Sequence, residues 1–251
     1  MSNFIIVTGC SSGLGEAIAK NLLIDGNSLV CLSRSCNKSV IKEANAKNIP
    51  LKYITFDLGD TNKIEEQMNS ICYEILSKEI NSISLINNAG VVLPINKAGK
   101  YSNNEVLQNI NVNLTAPIIL TNIFIKFFSE LAINKIIINI SSGASVKPVE
   151  GWGAYCTSKA GLNMFTQCVG LEQEKNKFPV KIIAVRPGVI DTNMQASIRN
   201  SKVNEFPDLM KFINYKNDGS LKTPDFVAKK IIGLLDGKSF KNGSFVDITT
   251  I

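Results

Sequence analysis

A tyrosine and a lysine four residues apart, Tyr155 and Lys159, stand in the stretch Gly151-Trp152-Gly153-Ala154-Tyr155-Cys156-Thr157-Ser158-Lys159, with Ser142 just upstream. Apolar residues continue the segment at helical spacing through Leu162, Met164, Phe165 and Val169, so Tyr155 and Lys159 share one face of a helix. A phenol beside an ammonium is a proton donor of tuned acidity, because the positive charge favours the phenolate. Free tyrosine titrates near ~10, and Lys159 is expected to bring Tyr155 lower. Ser142 follows an apolar strand, Lys135 to Ile140, and its hydroxyl is placed to hold a carbonyl oxygen against the phenol. The chemistry such a set performs is carbonyl reduction or alcohol oxidation.

Composition narrows the alternatives. The chain has no histidine, which excludes Ser-His-Asp and Cys-His hydrolases and histidine-containing metal sites. Acid-base work falls to Tyr, Lys or carboxylates. Cys10, Cys31, Cys36, Cys72, Cys156 and Cys168 show no Cys-x-x-Cys spacing, so no metal site and no disulfide framework is expected, and they read as buried, reduced thiols. The formal charge is +6, yet the lysines are scattered rather than gathered into a stripe, which disfavours a nucleic-acid partner. No apolar run approaches the ~20 residues that span a bilayer, and Met1-Ser2-Asn3 leads into Phe4 to Val7 without a basic leader or cleavage site. The expectation is a cytoplasmic protein with no membrane contact.

The elements that must position the site alternate between apolar strands and amphipathic helices. Strands are expected at Phe4 to Val7, Ser28 to Leu32, Lys52 to Phe56, Ser82 to Ile86, Lys135 to Ile140, Val180 to Val185 and Gly243 to Ile248; helices at Leu14 to Ile24, Asn62 to Lys78, Asn103 to Phe128, Ala154 to Lys175 and from Pro224 onward. Pro117 falls inside the helix Asn103 to Phe128 and is expected to bend it. In the last helix, Phe226, Val227, Ile231, Ile232, Leu234 and Leu235 should turn inward. Alternation of this kind predicts an α/β fold: one Rossmann-type doubly wound domain over residues 1–251, with a seven-stranded, mainly parallel sheet and helices on both faces. A nucleotide-binding half of about residues 1–100 would precede a catalytic half of about 101–251, and the polar stretch 194–221 reads as an irregular substrate loop that closes like a lid.

After the first strand comes Thr8-Gly9-Cys10-Ser11-Ser12-Gly13-Leu14-Gly15. Its glycines permit a tight turn and a close approach of backbone to phosphate, and the following helix points its N-terminus at the anion. Where an NAD-specific protein of this architecture places a carboxylate after the second strand, this chain has Ser33-Arg34. Arg34 is available for a 2'-phosphate, which favours NADP(H) over NAD.

With Asn87-Asn88-Ala89-Gly90, Pro187-Gly188 and the order Ser142, Tyr155, Lys159, the chain resembles the short-chain dehydrogenase/reductase family over essentially its whole length. The resemblance implies strand order 3-2-1-4-5-6-7 and a cofactor site built from Gly9, Ser11, Ser12, Gly13, Leu14, Gly15, Arg34, Asp57, Leu58, Asn88, Ala89, Gly90, Tyr155, Lys159, Pro187, Gly188, Val189 and Thr192. Asp57 is equally suited to capping a turn. The family's roles fall on Tyr155 as acid, Ser142 as carbonyl holder, Lys159 as ribose ligand and Asn113 as the residue that links the lysine to solvent; Ser141 is the alternative to Ser142. Within the family, Gly151 to Cys156 and Asp191-Thr192-Asn193-Met194-Gln195 look like the sepiapterin reductase and benzil reductase branch, whose members reduce vicinal dicarbonyls. That places Trp152 and Met194 beside substrate and aligns Asp247 with an aspartate that anchors a pterin; the alternative for Asp247 is an exposed position or a lysine partner at a dimer rim. A 3-oxoacyl thioester reductase and a non-catalytic NADP-binding regulator are the competing functions. The family commonly pairs its long helices into a homodimer or homotetramer, and Leu120, Ile123, Phe124, Phe127, Met164 and Phe165 supply apolar surface for that.

Overall fold

The computed structural model describes residues 1–250. In chain order it contains β1 (Ser2–Thr8), α1 (Gly13–Asn21), β2 (Asn27–Ser33), α2 (Lys38–Ala46), β3 (Leu51–Thr55), α3 (Ile64–Leu76), β4 (Ile80–Asn87), α4 (Asn103–Ile110), α5 (Ala116–Phe128), β5 (Asn134–Ile140), α6 (Gly153–Gln173), β6 (Lys181–Arg186), α7 (Asn193–Arg199), α8 (Leu209–Asn217), α9 (Pro224–Gly233) and β7 (Phe245–Asp247). The strands form one seven-stranded sheet in the order β3-β2-β1-β4-β5-β6-β7, every neighbouring pair parallel. This is the doubly wound order expected from the sequence.

Parallel strands joined by helices are buried on both faces, and the central strands accordingly carry near-continuous Ile, Leu and Val. Alternate residues feed two cores. Ile5, Val7, Ile136, Ile138 and Val185 pack with α1 and α9, while Phe4, Ile6, Ile83, Leu85 and Ile137 pack with α3 and α5. Leu120, Ile123 and Phe124 are spent on this second core rather than on an outer surface, because their face of α5 lies directly on the sheet. The exposed apolar residues of α4 and α6 are instead Leu107, Met164 and Leu171. The helical stretch Asn103–Phe128 is long and apolar enough to cross a bilayer by composition, and the burial of Ala116, Leu120, Phe124 and Phe128 against the sheet accounts for that composition.

Several local expectations are corrected. The helix α2 was not legible as an apolar stripe, since only Val40 and Ala44 are buried; its start is marked by Asn37, whose side chain accepts from the backbone N–H of Ser39 and Val40. The break in the long helix is a π turn at Asn111–Thr115, one turn before Pro117. Proline then sits in the first turn of α5, where its missing N–H costs little. The stretch 194–221 is not irregular: it holds α7 and α8. Phe226 is 45% exposed, because it lies on the outer side of α9 from Val227 and Ile231. Of the cysteines, Cys10, Cys31 and Cys72 are buried, Cys156 is half-buried, and Cys36 and Cys168 are exposed; all are free thiols.

Candidate active site

The carboxyl ends of β1, β4, β5 and β6 open into one cavity of about 590 Å³. The residues singled out from the sequence line it, with two exceptions, Asn113 and Asp247.

At one end lies the glycine turn. Gly9 and Gly13 adopt positive φ (75° and 59°), which side chains other than glycine rarely tolerate. Gly15 is required by space: a Cβ there would stand 2.1 Å from the Gly9 carbonyl oxygen and 2.4 Å from Asn88 Nδ2. That amide donates to the Thr8 carbonyl at 2.9 Å, while Thr8 Oγ1 accepts from the backbone N–H of Asn88 and Ala89, so the loop after β4 is tied to the turn after β1. Asn37, absent from the residues picked out by motif, holds the turn from the other side by donating to the Ser11 carbonyl at 3.0 Å. The backbone N–H groups that open α1 face this cradle, which a side chain at Gly13 or Gly15 would fill; a dinucleotide pyrophosphate fits such a place.

Arg34 is exposed at the rim of the cradle, beyond the buried Ser33, whose hydroxyl is bonded to Tyr53. Asp57 lines the same rim but also accepts from the Gly59 N–H at 2.9 Å, so the turn-capping use is present.

The tyrosine and lysine of α6 reach the cavity as their spacing requires. Tyr155 is buried, and Ser142 is the hydroxyl-bearing neighbour that draws its pKa down. Ser142 Oγ also accepts from the Ala144 N–H at 3.1 Å, which fixes its rotamer. Ser141 is committed elsewhere, donating to Asn163 Oδ1 at 2.6 Å. The expected lowering of the phenol by Lys159 is not what the geometry gives. Burial raises Tyr155, the Ser142 hydrogen bond opposes that, and Cys156 adds to it. Lys159 instead donates to the Ile140 carbonyl at 2.8 Å, with its Nζ 5.9 Å from the Tyr155 ring centre, and burial brings its own pKa down to about 8.

Asn113 stands behind Gly90. The π turn lets it fold back onto the β4 exit, where its Oδ1 accepts from Val91 N–H and its Nδ2 donates to the Val91 carbonyl, both at 2.8 Å. A Cβ on Gly90 would come within 3.2 Å of Asn113 Oδ1 and 3.6 Å of Lys159 Nζ, so this glycine keeps the amide and the ammonium open to each other.

The opposite end of the cavity is aromatic. Trp152 stacks on Phe206 at 5.0 Å and meets Tyr155 and Phe212 edge-on, and Phe212 meets Tyr215 in turn. Gly151 (φ 85°) allows the approach, since a Cβ there would lie 2.5 Å from the Glu205 carbonyl oxygen. Phe206, Phe212, Tyr215 and Lys211 were missed in the sequence although Phe206, Leu209, Phe212 and Ile213 recur at helical spacing. Met194 and Gln195 follow on α7, whose N-cap is Thr192. Arg186, at the end of β6, was also missed and lines the cavity beside Gly143. Asp247 faces Arg186 rather than the cavity: Arg186 Nε to Asp247 Oδ2 is 3.2 Å, and Asp247 Oδ1 accepts from Thr249 N–H and Oγ1. Among the described residues no His, Cys, Asp and Glu cluster has metal-binding geometry.

The short chain dehydrogenase family model matches residues 3–203. A benzil reductase that forms (S)-benzoin, from Bacillus cereus, is 44% identical over 98% of both chains. The sepiapterin reductase of Bos taurus is 28% identical, over 96% of this chain and 92% of its own. In solved structures, the KRED1-Pglu enzyme superposes with a TM-score of 0.84 at 27% identity, covering 98% of this chain and all (100%) of its own.

Proposed function

We propose that this chain, which belongs to the short-chain dehydrogenase family, is an NADPH-dependent reductase of vicinal dicarbonyl compounds. The observation that carries the reading is Tyr155, buried in one cavity with Ser142 between the glycine cradle and an aromatic wall. The 44% identity to a benzil reductase supports the dicarbonyl class. When bound, the reduced nicotinamide supplies the hydride. The chain does the rest. Gly9, Gly13, Gly15 and the amides opening α1 seat the pyrophosphate, and Arg34 reaches the 2'-phosphate. Ser142 and Tyr155 hold the carbonyl oxygen from two sides, and Tyr155 gives it a proton. Lys159, protonated below about 8, holds the nicotinamide ribose, and Asn113 positions the path by which the proton is replaced. Trp152 and Phe212 exclude water and receive the aryl group, with Phe206 stacked behind Trp152. We read the exposed Leu107, Met164 and Leu171 of α4 and α6 as the contact of a homodimer or homotetramer.

Mixing the protein with NADPH and benzil tests the reading: absorbance of the reduced cofactor should fall with protein-dependent rate, and benzoin should form. Absence of oxidation with benzil and other diketones would leave only a nucleotide-binding protein.

The cofactor preference has its own test. A charge-assisted contact contributes ~1.5–3 kcal/mol, or roughly one to two decades of affinity. Arg34→Ala should therefore weaken NADPH by that factor while NADH binding changes little, as read by titration of each cofactor. Equal losses would mean that Arg34 does not read the 2'-phosphate.

A further inference from the structure

Arg186 and Asp247 exchange the charge that the cleft shows to a substrate. Asp247 lies outside the cavity lining, its Oδ2 3.2 Å from Arg186 Nε and its Oδ1 occupied by both donors of Thr249. Arg186 lines the cavity, with 45% of its side chain exposed. Only its Nε is engaged, so among the described residues the outer edge of the guanidinium has no partner. Its position is close to the chemistry: a Cβ on Gly143, the residue after Ser142, would lie 3.3 Å from Arg186 Nε and 3.6 Å from its Cζ. The carboxylate behind it orients the planar fork, as ion-paired partners do at sites that read carboxylates. Two further cations, Lys147 and Lys211, line the same cavity, and neither ammonium has a hydrogen-bond or ion-pair partner among the described residues. Over the whole lining, cations outnumber the acids Asp57 and Asp208.

We infer that Arg186 is an anion receptor beside Ser142 and that the enzyme accepts ketones carrying a carboxylate next to the reduced carbonyl, the 2-oxo acids. The inference rests on the reductase reading above. The carboxylate of such a substrate takes the free edge of the guanidinium, Lys147 and Lys211 raise the local concentration of the anion, and the ketone oxygen turns to Ser142 and Tyr155. The reaction balances as for any ketone. The carbonyl carbon gains the hydride of NADPH, the C=O π pair moves onto oxygen and takes the Tyr155 proton, the nicotinamide is oxidised, and the carboxylate leaves unchanged on a 2-hydroxy acid.

The test compares phenylglyoxylate with its methyl ester, which keeps both carbonyls and the aryl group but carries no charge. In the parent protein, KM for the acid should rise with ionic strength while KM for the ester stays flat. In Arg186→Gln, the ratio of kcat/KM for the acid to that for the ester should fall about 10- to 100-fold, the size of a lost charge-assisted pair. Trp152 is the only tryptophan and lines this cleft, so its fluorescence gives the dissociation constant of the acid without turnover, and Arg186→Gln should raise that constant by a similar factor. Equal losses for acid and ester in the variant, or a salt-independent KM for the acid in the parent, would overturn the receptor. Should neither the ester nor benzil be reduced, the reductase reading itself fails, a result distinct from a reductase that turns over the ester with no sensitivity to charge.

Discussion

Replacing Tyr155 by phenylalanine is expected to lower kcat/KM for benzil by about 10²- to 10⁴-fold, the usual contribution of a positioned proton donor. The substitution deletes one oxygen atom. The ring keeps its edge contact with Trp152, 5.5 Å between centres, and its place among the buried apolar residues that include Phe206 and Leu209, so folding and the aromatic wall survive. What disappears is the hydroxyl beside Ser142 and the proton it carries. Ser142 retains its bond from the Ala144 N–H and stays in place, so substrate affinity should change far less than kcat. Fluorescence of Trp152 on cofactor titration separates the two effects. A Tyr155→Phe protein that reduces benzil at the parent rate would remove the phenol from the mechanism altogether.

The sequence made this acid visible because its neighbours are local. Four residues of helix put Tyr155 and Lys159 on one face, and the strands around them are continuous apolar runs that a buried parallel sheet requires. The glycine turn was equally readable, since each glycine answers a positive φ or a missing Cβ. The rest depends on contacts between distant segments. Arg186 before Pro187 looks like a turn residue until β7 pairs with β6 and sets Asp247 beside it in register. Asp247, taken by itself, looks like a ligand for substrate N–H groups, and only its partner shows that its charge is already used. The helices α7 and α8 were hidden by Asn, Lys and Pro between their apolar positions, because a short helix needs few buried residues once a surface such as Trp152 is offered to it. The π turn has no composition of its own. It arises where Asn113 is drawn toward Val91 and Pro117 cannot supply the next backbone donor.

The second large effect concerns Lys159, where function and stability should oppose each other. Its ammonium is buried, with the Ile140 carbonyl at 2.8 Å as its hydrogen-bond partner and no ion-pair partner among the described residues, and burial lowers its pKa from 10.5 to about 8. A lysine lowered by folding binds its proton more weakly in the native chain than in the unfolded one. Below about 8 both states are protonated and the native state carries the full cost of the buried charge, on the order of 3 kcal/mol. As pH rises from 8 toward 10.5, the native lysine sheds its proton first, the unfolded chain holds more protons, and stability returns. Lys159→Met removes the charge and keeps an unbranched apolar stem. It should abolish catalysis, while the stability of the parent relative to the variant climbs by about 2 kcal/mol between pH 7 and pH 9.5 in urea unfolding. Other titrating groups act on both proteins alike and cancel in that difference. In the parent, kcat/KM should decline as pH passes about 8, where the ammonium that holds the nicotinamide ribose is lost. A stability difference that stays flat over this range would show that the Lys159 charge is compensated in the fold, and a variant that still reduces benzil would show that the reaction needs no cation at this position.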